Sequence, residues 1–233
     1  MTRAIDLNAD LGEGCRWDEA LLARVSSAGI SCGAHAGNPE QIAQTLRWAA
    51  DRGVVVGAHP GYADPANFGR VDRDLSGEEI GTLMAGQLAD LARLAAAAGV
   101  PVRFVKPHGA LYNQAQRDAR IANAVVGSLA GRDLPILGLP GAEVERAARA
   151  AGVRFVAEGF ADRAYRPDGR LVPRAEPGAI LHDPDAIRAQ VLALVDRGVE
   201  TLCIHGDDPR AVGLADLVRD ALRASGVAVR GFA

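Results

Sequence analysis

Short apolar runs along this chain alternate with longer segments in which alanine, leucine and arginine recur at helical spacing. The apolar runs are rich in β-branched residues and show little polar alternation, which is typical of parallel strands buried on both faces. We predict strands at residues 3–8, 28–31, 54–58, 102–106, 135–139, 153–157 and 201–204, with an eighth at 227–232.

The helical segments between these runs begin and end with recognisable capping residues. The pattern is a side-chain cap, often a proline at the first helical position, and a glycine after the end. Asn113 is either the N-cap of a helix that follows residues 102–106 or part of a binding site. We predict helices that run from caps at Asn38, Ser76, Asp183 and Asp208 to the glycines at 53, 99, 198 and 226.

Seven or eight strand–helix units favour a parallel sheet covered by helices. At 233 residues, a single closed (β/α) barrel spanning residues 1–233 is the expected architecture, and an open doubly wound sheet is the alternative. Two segments, 60–75 and 159–181, lack a clear element. Loops of that length in a compact domain are usually functional.

Polar residues directly follow most of the predicted strands, and four of the five histidines occupy such positions. The carboxyl ends of barrel strands share one rim, where active sites of this architecture are built, so we expect these side chains to meet. Structural alternatives exist: Asp10 and Glu13 as turn formers, Arg70 as a loop anchor, and Asp168 with Gly169 as a hairpin tip. The predicted site comprises Asn8, Asp10, Glu13, His35, His59, Arg70, Lys106, His108, Tyr112, Asn113, Glu158, Asp162, Arg163, His205 and Asp207.

Lys106 is the only lysine, since the other 25 of the 26 basic residues are arginines. Coincidence is one explanation. The other is that the site needs a compact ammonium, which differs from a planar guanidinium in shape and hydration. Such a charge could hold a developing oxyanion or phosphoryl group, while Asp10 or a histidine takes a proton from water.

A divalent metal is a further possibility, with Asp10, His35, His59 and His108 as candidate ligands. An aspartate with two histidines and an open position is a common catalytic set. The HExxH and GxSxG motifs are absent, and no GxGxxG follows a strand. A P-loop is excluded because its lysine precedes Ser or Thr, whereas Lys106 precedes Pro107.

Composition narrows the cellular context. A net charge of −3 and a pI of about 6.0 give no electrostatic footprint for nucleic acid or an anionic membrane. The N-terminus has no apolar run typical of a secretion signal, and no segment approaches the ~18 apolar residues of a membrane span. The three cysteines lack CxxC spacing, which indicates a reducing cytoplasm. Cys32 and Cys203 are predicted to belong to the core.

Six ordered motifs between about residues 4 and 215 together resemble the LamB/YcsF family. They are IDLNADLGEG, SSAGISCGAHAGNP, VGAHPGYAD…FGR, VKPHGALYN, EGFADRAYRPDGRLVPR and CIHGDDP. The resemblance implies a seven-stranded (β/α) barrel of the glycoside hydrolase/deacetylase type. It also implies a role in ATP-dependent cleavage of 5-oxoproline to glutamate, together with two further subunits, B and C. The ATP site could lie on this chain or on a partner subunit.

In this scheme the catalytic residues are Asp10, His35, His59, Lys106 and His108, and the other site residues contact the substrate. Lys106 is expected to be a mobile positive charge of the rim, beside His108 and opposite Asp10 and His35. The chain departs from the family in two places. It is shorter between residues 186 and 201, and Val71 stands where a second arginine after Arg70 is expected, which argues against paired guanidinium groups there.

Two other functions stay open from the sequence. One is a metal-dependent deacetylase or amidohydrolase that acts alone on a similar barrel. The other is a non-catalytic subunit that uses the rim to bind a lactam or a sugar. The sequence does not indicate the oligomeric state.

Overall fold

Seven parallel strands close into a barrel in this computed structural model, which describes residues 3–174 and 176–232. The strands are hydrogen-bonded in chain order, and the seventh returns to pair with the first. A short strand at the end of the chain adds to the amino end of β1 outside the barrel. The strands are β1 (Ala4–Leu11), β2 (Ser27–Ser31), β3 (Val55–His59), β4 (Val102–Val105), β5 (Ile136–Gly138), β6 (Phe155–Phe160), β7 (Thr201–His205) and β8 (Ala228–Val229). The predicted seven-stranded barrel is confirmed.

Helices surround the barrel and cover the outer faces of its strands. They are α1 (Asp18–Leu22), α2 (Pro39–Arg52), α3 (Gly77–Ala97), α4 (Gly109–Arg117), α5 (Ala119–Gly127), α6 (Glu143–Ala151), α7 (Pro184–Asp196) and α8 (Ala211–Ala224). Asn38 and Ser76 each form the capping box that their spacing indicates, and Asp183 caps α7.

One predicted helix start is wrong, and one of the two alternatives for Asn113 is excluded. Asn113 is not an N-cap, because α4 begins at Gly109, directly after His108. Asp208 does not begin α8 either. Its side chain accepts a hydrogen bond from the backbone N–H of Arg210 and its carbonyl accepts one from Ala211, so the chain turns before the helix starts.

The first strand shows why the barrel interior is polar. Leu7 and Ala9 face outward into the main hydrophobic core beneath the helices. Asp6, Asn8 and Asp10 alternate with them and face inward, as the two-residue period of a strand requires. Asp10 lies within β1, which extends to Leu11, whereas the sequence predicted that the strand ends before it.

The amino-terminal part of the interior is apolar. Phe104, Leu137 and Val156 pack together there. Gly57 of β3 pairs in register with Phe104, and a Cβ at this position would collide with the phenylalanine ring, so only glycine leaves room. Lys106 lies two residues after Phe104 and faces the same way. The interior therefore changes from apolar to charged towards the carboxyl ends of the strands.

The segments 60–75 and 159–181 both lie at this end of the barrel. The first contains a short 3-10 helix, Pro65–Asn67. The second folds back on itself through antiparallel bridges between Arg163 and Ile180 and between Tyr165 and Leu171. Gly169 at its tip has φ 84°, which confirms the predicted hairpin. Among the described residues, no helix is both long and apolar enough to cross a membrane.

Candidate active site

A cavity of about 690 Å³ opens at the carboxyl ends of the barrel strands. The predicted convergence of strand-end residues is therefore observed. The deep end of the cavity is lined by Asp10, His59, Lys106 and His205. Its outer wall carries many positive charges, contributed by Arg70, Arg117, Arg163, Arg166, Arg170 and Arg174.

Lys106 lies at the deep end of this cavity with only 2% of its surface exposed. Its Nζ is 2.8 Å from Asp10 Oδ1 and 2.8 Å from Glu158 Oε1. It also donates to Asn8 Oδ1 at 3.1 Å and to Cys203 Sγ at 2.9 Å. We call these five residues the lysine network. The expectation of a mobile rim charge is wrong, because four contacts hold the ammonium inside the barrel.

The charges of the lysine network support one another. Burial alone would lower the pKa of Lys106, but Asp10, Cys203 and Glu158 outweigh it and raise that pKa well above its usual value. Burial would also raise the pKa of Asp10, but His59 and Lys106 bring it below its usual range. A carboxylate with a lowered pKa is a weak proton acceptor. Asp10 therefore suits the role of anchor for Lys106 better than that of base.

A chain of hydrogen bonds supports the lysine network from below. Asn8 Nδ2 donates to Thr201 Oγ1 at 2.7 Å and to Glu158 Oε1 at 3.2 Å. Thr201 Oγ1 in turn donates to Asp6 Oδ2 at 2.5 Å, and two serine hydroxyls also donate to Asp6. Asn8 and Glu158 are fully buried beneath the cavity. Their role as substrate contacts stays a prediction, and the contacts observed serve Lys106.

Glu13, His35, His59 and His108 form a second group, which we call the histidine cluster. All four are buried, and their potential ligand atoms lie within 4.8 Å of one another, so the group could hold a metal ion. The sequence places Asp10 in this set. In the structure Glu13 belongs to this group, while Asp10 pairs with Lys106 through Oδ1 and lies 3.5 Å from His59 Nε2 through Oδ2. The potential ligand atoms of Asp10, Cys203 and His205 also lie within 4.8 Å of one another.

Burial sets the protonation of the histidine cluster. It lowers the pKa of His35 to about 3 and that of His59 to about 4, and it lowers the pKa of His108 well below its usual value. Burial, together with the nearby Asp10, raises the pKa of Glu13 well above its usual value. The imidazoles are therefore neutral, which is the form that binds metals.

His205 faces the cavity from the end of β7. Its ring stacks on Phe160 with centroids 5.5 Å apart, and its Nδ1 lies 3.7 Å from Asp162 Oδ1. Asp162 has a lowered pKa: burial opposes this, but His205 and two arginines stabilise the carboxylate. At this separation the two atoms are not hydrogen-bonded, so Asp162 is an electrostatic neighbour of the imidazole, which lines the cavity.

Asp207, predicted to contact the substrate, forms ion pairs with two arginines at the outer wall. Arg70 is one, and Arg174 is the other at 3.5 Å. The second guanidinium that Val71 cannot provide is thus contributed by the 159–181 segment. Tyr112, Asn113 and Arg163 also line the cavity. Arg163 is anchored by the carbonyls of Val172 and Ala179.

Sequence reasoning missed the part that Cys203 plays. It is buried, as expected of a core residue, but its Sγ contacts Lys106. Thr201 and Arg174 were missed as well. Thr201, Cys203 and His205 alternate along β7, so all three must share the inward face of the strand. That alternation is the signal that could have identified Thr201 and Cys203 as site residues.

The fold and the site define a (β/α) barrel of the deacetylase type, with a charged cavity at the carboxyl ends of seven strands. The sequence profile of the LamB/YcsF family matches residues 5–233, and the chain belongs to that family.

Two relatives align with nearly the whole chain. The A component of 5-oxoprolinase from Mycolicibacterium paratuberculosis is 49% identical over 250 aligned residues, with 98% of each chain covered. The crystal structure of a lactam utilization protein from Thermus thermophilus shares 40% identity with a TM-score of 0.90, covering 98% of this chain and 100% of that one. The catalytic domain of a peptidoglycan N-acetylglucosamine deacetylase from Eubacterium rectale is similar in fold alone. It shares 13% identity with a TM-score of 0.58, covering 99% of this chain and 89% of that one.

Proposed function

We propose that this chain is the A component of an ATP-dependent 5-oxoprolinase, which hydrolyses 5-oxo-L-proline to L-glutamate with subunits B and C. The observation that carries the proposal is the 49% identity, over 98% of both chains, to a protein of that name. The lactam utilization protein supports the same substrate class. Three cysteines without a disulfide among the described residues fit a cytoplasmic location.

The cavity suits a small anionic lactam. 5-Oxoproline carries one carboxylate, and a phosphorylated intermediate would carry more negative charge. The arginines of the outer wall outnumber the carboxylates that line the cavity, Asp10 and Asp72, so the wall can attract such anions. At the deep end, the positive charge of Lys106 can stabilise charge that develops on the amide oxygen through space, since its three N–H hydrogens are engaged by the lysine network.

Coupling to ATP has a chemical reason. A five-membered lactam is a stable amide, and phosphorylation of its oxygen would make the ring carbon electrophilic. Water could then add to that carbon and give up a proton to His205, which lines the cavity. The ring C–N bond would break with protonation of its nitrogen, and a second water would release phosphate from the resulting acyl phosphate to leave glutamate. In this proposal the lactam binds in the cavity, and ATP binds either in the same cavity or on a partner subunit.

The test is ATP-dependent release of glutamate from 5-oxoproline. This chain alone, subunits B and C alone, and all three together should be compared, and we expect activity only in the full mixture. Partners that match the full mixture without this chain would refute the proposal. Lys106→Arg should lower activity by at least ~10-fold, because a guanidinium cannot reproduce the four contacts of the ammonium. Arg93→Lys, on the surface, is the matched control.

The histidine cluster favours a second candidate, a metal-dependent amidohydrolase or deacetylase that acts alone. This function would show turnover of lactams or acetamides without ATP or partner subunits. Metal-dependent turnover by the isolated chain, unchanged by ATP, would select it over the first proposal.

A further inference from the structure

Two histidines of the histidine cluster have their tautomers fixed by backbone carbonyls. His59 Nδ1 lies 2.7 Å from the carbonyl oxygen of Lys106, and His108 Nε2 lies 2.8 Å from that of Phe68. A carbonyl can only accept, so each of these nitrogens carries a hydrogen and donates it. In a neutral ring, the other nitrogen is then left with a lone pair. These lone pairs belong to His59 Nε2 and His108 Nδ1.

The two lone pairs face each other. His59 Nε2 and His108 Nδ1 are 2.9 Å apart, which is hydrogen-bonding distance, yet neither nitrogen has a hydrogen to donate. Glu13 Oε1 lies 3.4 Å from the second nitrogen and 3.8 Å from the first, and Asp10 Oδ2 lies 3.5 Å from His59 Nε2. Two buried lone pairs that face each other without a hydrogen between them need a cation, and that cation would also hold the neighbouring Glu13 carboxyl in its ionised form.

We propose that His59 Nε2, His108 Nδ1 and Glu13 bind a divalent transition-metal ion of the zinc class. The three separations, 2.9, 3.4 and 3.8 Å, bracket the edge of a tetrahedral ligand set, about 3.3 Å for metal–ligand bonds of about 2.0–2.1 Å. The two imidazole planes are at 89°, so both lone pairs can point to one centre. Two histidines and a carboxylate leave positions open for water or substrate.

The carbonyl contacts are the expected support for such ligands. A histidine that binds a metal usually donates its other N–H to a carboxylate or a backbone carbonyl, which fixes the ring. The carbonyl that holds His108 belongs to Phe68, whose φ of 55° is rare for a residue other than glycine. Strained backbone of this kind clusters at functional sites.

His35 is excluded from the ligand set by geometry. Its ring is parallel to that of His108 within 4°, with centroids 3.8 Å apart. An ion in the plane of His108 therefore lies well outside the plane of His35, where His35 has no lone pair. His35 Nε2 is instead 3.2 Å from Glu13 Oε1, and when Glu13 is an ionised ligand this nitrogen must donate to the carboxylate and orient it. His35 is a positioning residue.

This inference is independent of the proposed ATP-coupled reaction, because it is tested on the isolated chain without substrate. Untagged protein should be stripped with a chelator and titrated with Zn²⁺ by calorimetry, with elemental analysis of the loaded protein. We expect one ion per chain. X-ray absorption at the zinc edge should count two imidazoles. This measurement uses the unaltered protein, so its result does not depend on whether a variant folds.

Variants separate ligands from neighbours. Glu13→Gln and His108→Asn should abolish stoichiometric binding, and His35→Gln should weaken it by about 10–100-fold, as loss of an outer hydrogen bond does. Asp10→Asn should keep the ion, and His182→Gln, an exposed histidine, is the matched control. Circular dichroism confirms that each variant is folded. The assignment would be overturned by absence of a bound ion, by a count of three imidazoles, or by full affinity in His108→Asn. If no ion binds, the cation between His59 and His108 is a shared proton.

Discussion

Replacement of Lys106 by methionine removes the ammonium from between Asp10 and Glu158 while keeping a side chain of similar length. Both carboxylates contact Nζ at 2.8 Å and are almost completely buried, so neither can turn to water. Removal of one partner from a buried ion pair costs about 3–5 kcal/mol, because it leaves an uncompensated charge. We expect a loss of this size in the free energy of unfolding at pH 7.

The sign of the pH dependence follows from the two pKa shifts. The pKa of Lys106 is raised, so its contribution is present below its unfolded pKa of about 10.4 and is lost only above the folded value. The pKa of Asp10 is lowered, so its contribution is present above about 3.9 and is lost as the pH falls further. The difference between wild type and variant should therefore be constant near neutral pH and shrink in acid.

Urea unfolding followed by circular dichroism measures the effect. Adding Glu158→Gln to Lys106→Met removes one of the stranded carboxylates and should recover part of the loss. Arg93→Met breaks an ion pair with Asp90 whose side chains are 71% and 70% exposed, and should change nothing measurable. A loss below about 1 kcal/mol for Lys106→Met, the size of an ordinary substitution, would refute the reasoning.

Three further outcomes are expected. Thr201→Val breaks the hydrogen-bond chain to Asp6 and should lower the free energy of unfolding by about 1–3 kcal/mol, whereas exposed Thr82→Val should not; equal effects would mean that the chain contributes nothing. Gly57→Ala forces a Cβ into the Phe104 ring and should cost about 1–3 kcal/mol. Gly86→Ala in α3, where the Cβ meets open space, should be neutral or stabilising, and the reverse order would contradict the packing. In chelator-treated protein, burial lowers the pKa of His35, His59 and His108, so the unfolded chain binds more protons on these side chains than the folded chain does. Stability should therefore rise with pH between about pH 5 and 6, and a flat series of urea midpoints would contradict this.

Local pattern was sufficient for most of the architecture. The N-cap at Asn38 and the cap at Ser76 predicted where α2 and α3 begin, because capping depends on residues close together in the chain. It failed at α8, where Asp208 satisfies a turn equally well. Local pattern left the start of α4 open, because the chain enters that helix from His108, which makes no side-chain cap.

The sequence by itself determined the barrel, the end of the barrel at which the site lies, and the solitary lysine in it. Strand period and strand order are enough for this, since they decide which side chains face inward and at which end. Only the tertiary structure decided the partners of each group. Asp10 is held by Lys106, while Glu13 joins the three histidines. Register and side-chain direction between strands distant in the chain make that choice, and a pattern within one strand carries no information about either.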